Sequence, residues 1–154
     1  MIDRFERFSL ANNEINRFLK KLTTEEMLKH DLKSSHALYF SLLSSSHPEG
    51  LTASQLCEYS GRDKADVSRM LALMETKGLV VKEGSHQHLY NGIYRLTDEG
   101  LRIADAVKQR AALAVNIAGK DLSPEHREIF YASLDSIVSN LRELSKKGIP
   151  DINE

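Results

Sequence analysis

Between Leu51 and Leu96 the chain lays down two short helical stretches and two short strands with only tight breaks between them, and this order constrains the fold more than any other feature. Thr52 with Gln55 three residues on reads as a capping box opening a helix over Ala53–Tyr59. Ser60-Gly61-Arg62 breaks that helix. Asp63 then caps a helix over Lys64–Thr76, in which Val67, Met70, Leu71 and Met74 repeat at i, i+3, i+4 and i+7. Gly78 stands where a left-handed C-terminal cap is expected. Leu79–Val81 and Gly92–Leu96 read as paired strands, separated by the polar, glycine-flanked stretch 84–91.

Helical patterns flank this segment on both sides. Ile2, Phe5, Phe8, Ile15, Phe18, Leu19 and Leu22 place apolar groups on one face of an N-terminal helix, with Asn12 interrupting the stripe. A second helix over Ser34–Leu43 is apolar nearly all round, the pattern of a helix at the centre of a domain. Ser44–Gly50 is a loop by its Ser, Pro and Gly content. Thr97 caps a long helix through Ala118, with Asp98 and Glu99 at the positive end of its dipole. Ser123-Pro124-Glu125 starts another, whose stripe runs from Phe130 through Leu134, Ile137 and Leu141 to Leu144 before Gly148 and Pro150 stop it.

This order predicts a mostly α protein with a small β wing: a winged helix-turn-helix plus N- and C-terminal dimerisation helices. The expected division is a single domain over 1–154, with the winged lobe at 33–97 and a helical dimerisation region at 1–32 and 98–148. The terminal helices exceed what the lobe needs, and their stripes must be buried elsewhere. Phe5, Phe8, Phe130, Leu134, Ile137 and Leu141 are the candidate dimerisation residues, because a homodimer is the economical way to cover them.

Composition sets the remaining bounds. With 154 residues, 41% of them apolar and 28% charged, the chain has the make-up of an ordinary soluble domain. Its apolar runs are too short to cross a bilayer, and the mixed charges near the N-terminus are unlike a secretory signal. The single cysteine, Cys57, cannot form an intramolecular disulfide, which fits a reducing, cytoplasmic setting. The net charge of −1 does not by itself indicate a nucleic-acid binder. Residues 62–82 carry five basic against three acidic side chains, a local balance of +2, whereas residues 98–154 carry eight basic against ten acidic.

Once Val67, Met70, Leu71 and Met74 turn to the core, the fourth helix presents Lys64, Ala65, Ser68, Arg69 and Ala72 on its other side. Arg69 suits a bidentate contact to guanine or a phosphate, Lys64 a phosphate, and the alanine methyls a thymine methyl. The plainer alternative is a solvated helix face. Asp66 would repel phosphates; an accepting role towards cytosine competes with simple stabilisation by the helix dipole, which we favour. Cys57, beside Glu58, reads as a small buried hydrophobe rather than an activated thiol. His86 and His88 read as polar wing residues rather than metal ligands. No catalytic constellation is legible, and no cofactor or metal is expected.

Three stretches together resemble the MarR family of transcriptional regulators. They are Leu51-Thr52-Ala53-Ser54-Gln55-Leu56, then Asp63 through Met70 continuing to Glu75-Thr76-Lys77-Gly78-Leu79-Val80, and Leu96-Thr97-Asp98-Glu99-Gly100. The resemblance implies a homodimer with interlocking terminal helices, each lobe offering a recognition helix to the major groove of double-stranded DNA. The residues expected at the DNA are Thr52, Arg62, Lys64, Ala65, Ser68, Arg69, Ala72, Lys82, His86, His88 and Tyr90. The resemblance further implies response to a small-molecule effector or to oxidation of a cysteine, the effector lying where the second, third and fifth helices converge. The wing departs from the family pattern. Gln87-His88-Leu89-Tyr90 lacks the usual Asp and Arg, leaving His86, His88 or Tyr90 to take the minor-groove role.

The expected function is therefore a sequence-specific DNA-binding regulator, a ligand-responsive repressor acting as a homodimer on a pseudo-palindromic site. The alternative is a winged-helix protein-interaction module that has lost DNA binding. A dimerisation domain attached to a methyltransferase is the weaker reading, since no catalytic domain follows residue 154.

Overall fold

A computed structural model describes residues 3–84 and 92–149 of the chain. In chain order the described elements are α1 (Arg4–Leu28), α2 (His36–Ser45), β1 (Leu51–Thr52), α3 (Ala53–Ser60), α4 (Lys64–Thr76), β2 (Val80–Glu83), β3 (Ile93–Leu96), α5 (Asp98–Ala118) and α6 (Pro124–Lys147). The chain divides into two compact units, Met1–Ala114 and Val115–Glu154.

The first unit holds the core. The capping box expected at Thr52 is present: its hydroxyl accepts from the Gln55 backbone N–H, and the Gln55 side chain accepts from the Thr52 backbone N–H. Asp63 caps α4 by accepting from the Asp66 N–H at 2.8 Å. These caps fix where the two helices begin, and the apolar spacing fixes which side is buried. Val67, Leu71 and Met74 are buried with Leu56 of α3 and Tyr39, Phe40 and Leu43 of α2. Each large apolar side chain withdrawn from water contributes about 1.5–3 kcal/mol, which orients α4 more firmly than any surface contact. The expectation that α2 is buried all round holds for His36, Ala37, Tyr39, Phe40 and Leu43, whereas Leu38 remains exposed.

A three-stranded antiparallel sheet, ordered β1-β3-β2, backs the helices. Leu51 pairs with Tyr94 and Thr52 with Ile93; on the other side Val80 pairs with Leu96 and Lys82 with Tyr94. β1 is an addition to the expected strand pair. Gly50, just before β1, makes the pairing feasible: at φ +77° its missing Cβ would lie 2.5 Å from the Tyr94 carbonyl oxygen. Gly78 has the left-handed conformation expected of it, φ +69°.

The junction of β3 with α5 is tied to the end of α4. The Thr97 hydroxyl donates to the Gly78 carbonyl at 2.7 Å and accepts from the Gly100 N–H at 3.1 Å, while the Thr97 N–H donates to the Leu79 carbonyl at 3.1 Å. Gly100 approaches so closely that a Cβ there would meet the Leu79 carbonyl oxygen at 2.1 Å. Beyond it Ile103, Ala104 and Val107 of α5 are buried. The last turn of α1 joins the same core through Met27. Glu26 beside it accepts from Lys29 at 2.6 Å, lies 4.0 Å from Arg110 of α5, and has its carboxyl held below the ordinary range, chiefly by the Lys29 hydrogen bond. Most of α1 before that turn is exposed, including Phe5, Phe8 and Phe18.

In the second unit, Ser123 caps α6 by accepting from the His126 N–H, and Pro124 occupies the first turn. Arg127 closes the preceding bend by donating to the Gly119 carbonyl at 2.6 Å and to Asn116 at 3.3 Å. No described residue of α6 is buried. Phe130, Leu134, Ile137 and Leu141 are all exposed in the isolated chain.

Candidate nucleic-acid interface

α4 divides into two faces. Val67, Met70, Leu71 and Met74 are buried, and Lys64, Ala65, Ser68, Arg69 and Ala72 are exposed on the face left over. The rotation that the apolar spacing implies is the one adopted, because turning the helix by one residue would bring Arg69 into the core. Arg62, in the turn that precedes α4, is also exposed, and its backbone N–H donates to the Ser60 hydroxyl at 3.3 Å.

Both arginines face one carboxylate. Arg62 Nη1 lies 3.5 Å from Asp66 Oδ2, and Arg69 Nη2 donates to Asp66 Oδ1 at 3.4 Å. Asp66 is the more sheltered partner, with its side chain 28% exposed against 52% for Arg62 and 72% for Arg69. Helix spacing of three and four residues permits such pairs, but their occurrence on both oxygens at once was not evident from the sequence.

The remaining expected contacts are placed as follows. Thr52 is half-buried and its hydroxyl is occupied in the α3 cap, so any phosphate contact from that residue would compete with Gln55. Lys82 is exposed on β2, its ammonium 5.5 Å from the centre of the Tyr94 ring. His86, His88 and Tyr90 lie outside the described residues. Cys57 is half-buried and packs against the core. Arg95 on β3 escaped the sequence reading; it pairs with Glu83 across the sheet.

A cleft of about 270 Å³ opens in the first unit between α2 and α5. Ser41, Ser44 and Ser45 line one side, and Ala104, Val107, Lys108 and Ala111 the other. No α3 residue lines it, although the third helix was expected to contribute. Among the described residues no three His, Cys, Asp or Glu side chains gather as metal ligands, and no helix is long and apolar enough to cross a membrane.

The MarR family model matches residues 30–88, a stretch that takes in α2 through β2. Over that stretch the chain is similar to the MarR family, and its fold is that of solved MarR winged helices. Among solved structures, a MarR-family transcriptional regulator from Silicibacter pomeroyi superposes with a TM-score of 0.77 at 21% identity, covering 90% of this chain and 92% of that one. A MarR-family regulator from Listeria monocytogenes, complexed with a 26mer DNA, gives a TM-score of 0.77 at 18% identity, with 97% and 98% covered. MepR from Staphylococcus aureus in its DNA-binding conformation gives 0.74 at 21% identity, with 87% and 98% covered. The likeness to MarR structures thus extends over the terminal helices as well as the lobe. No curated protein matches the chain in sequence.

Proposed function

We propose that this chain is a sequence-specific DNA-binding transcriptional regulator that works as a homodimer, with α4 as the helix that enters the major groove. The observation that carries the reading is the division of α4 into a buried apolar face and an exposed Lys64, Ala65, Ser68, Arg69 and Ala72 face. A helix held so firmly from behind presents small and hydrogen-bonding side chains at fixed positions, as base readout requires. The DNA complex of the Listeria relative and the DNA-binding conformation of MepR support the same reading. Exposed apolar residues on α1 and on α6 supply the surface for a second copy, and two-fold symmetry matches paired half-sites.

The regulator is a repressor released by a small effector held in the cleft between α2 and α5. Its mixed lining, with Lys108 at one side, suits a compact ligand carrying an apolar body and a negative group. The deciding experiment titrates wild type and Arg69→Ala on the protein's own promoter at several salt concentrations. A lost base contact weakens the cognate site by about 1–3 kcal/mol and relaxes one position, whereas a lost phosphate contact weakens every sequence and lowers the salt slope by about one. Equal affinities at all salts, with unchanged melting, would point to a protein partner instead.

A further inference from the structure

We propose that Asp66 is a positioning residue that holds Arg62 and Arg69 away from non-specific phosphate contacts and so sets the DNA specificity of α4; this rests on the regulator reading above. The carboxylate gives one oxygen to each guanidinium, at 3.5 and 3.4 Å, and is itself the least exposed of the three groups. Its backbone N–H is fixed by the Asp63 cap at 2.8 Å, so the hub of the cluster is better anchored than either arm. The dipole role expected for Asp66 is compatible with this, since the first turn of α4 favours an anion.

The effect on binding follows from what each arginine exchanges. Exposed ion pairs are weak and screened by salt, so Arg69 can leave Asp66 at small cost. A guanine edge repays that cost with two directed hydrogen bonds. A phosphate on arbitrary DNA repays it mainly through counterion release, and a carboxylate beside the arginine opposes that gain. Asp66 therefore penalises non-cognate DNA more than the cognate site. It also reduces the two arginines' combined charge from +2 to +1 where they face outward.

The test compares Asp66→Asn with wild type on the protein's own promoter and on an unrelated duplex of equal length, across a range of salt. We expect affinity for the unrelated duplex to rise about three- to tenfold, with a steeper salt slope, and cognate affinity to change less, so that the specificity ratio falls. Asp66→Glu, which keeps the charge, should restore weak binding to the unrelated duplex. In an Arg62→Ala/Arg69→Ala background Asp66→Asn should have little further effect on the ratio. A change of equal factor on both duplexes, or an unchanged effect in the double-alanine background, would overturn the proposal. Wild type that fails to prefer its own promoter would remove the regulator reading, and this proposal with it, before any variant is compared.

Discussion

Arg95 on β3 donates from Nε to the carbonyl oxygen of Glu49 at 3.2 Å, joining the central strand of the sheet to the loop that leads into β1. The same guanidinium pairs with Glu83 on β2, so a single side chain bridges the neighbours on both sides of its strand. We expect Arg95→Ala to lower stability by about 1 kcal/mol, the exposed carboxylate partner adding little to the backbone contact. Arg95→Lys should recover less than half, because an ammonium cannot serve both partners with a planar fork. Urea denaturation of the three proteins measures this; identical midpoints would show the strand hydrogen bonds to be sufficient.

The backbone at Gly50 offers a larger effect. Its φ of +77° is strained for any side chain, and a methyl group would collide with the Tyr94 carbonyl oxygen and the Ile93 Cγ2. Gly50→Ala should cost at least about 1–3 kcal/mol and unpair β1. Amide exchange at Leu51 and Thr52 would report the local loss, with thermal melting giving the global one.

His36 supplies a pH dependence. Its ring is almost fully buried, with Nδ1 3.1 Å from the Lys33 backbone and Nε2 without a hydrogen-bond partner among the described residues. Burial pushes its pKa below the ordinary value; the Lys33 backbone hydrogen bond and Asp66 act upward, while the Lys33 and Lys77 charges act downward. The unfolded chain then binds the proton first. Stability is complete above about pH 6.5 and declines as pH falls from there towards the lower folded pKa. Melting of wild type and His36→Gln between pH 7.5 and 5.5 should show the wild-type advantage shrinking on acidification. A constant difference would mean that the imidazole stays neutral in both states or titrates alike in both.

The exposed stripe of α6 bears on assembly. Replacing Leu134 and Leu141 together by Asp should turn a dimer into a monomer in sedimentation at micromolar concentration, since charges do not survive at the centre of an apolar interface. Promoter affinity should fall with it, because each lobe would then bind alone. A monomeric wild type would remove the premise.

The two helices of the lobe were legible in the sequence for a local reason. Their caps and apolar repeat act within one or two turns, and α4 begins and ends at Lys64 and Thr76 as its spacing implies. β1 was not legible, because two residues carry no periodicity and become a strand only through pairing with β3, some forty residues later. The Asp66 cluster lay between these cases: its spacing was visible, but which way three exposed side chains turn is decided by packing around them. For the same reason α2 could be read as central to the domain while Leu38 emerged exposed.

The stitching of Thr97 to Gly78 and Leu79 has a mechanical consequence. Three hydrogen bonds and a glycine contact leave no slack between the end of α4 and the start of α5, so the two helices cannot pivot independently at that corner. A displacement of the buried part of α5, where Ala104 and Val107 wall the cleft, is therefore expected to reach α4 through this corner. The corner thus ties the start of α5 to the end of α4 through Thr97 and Gly100.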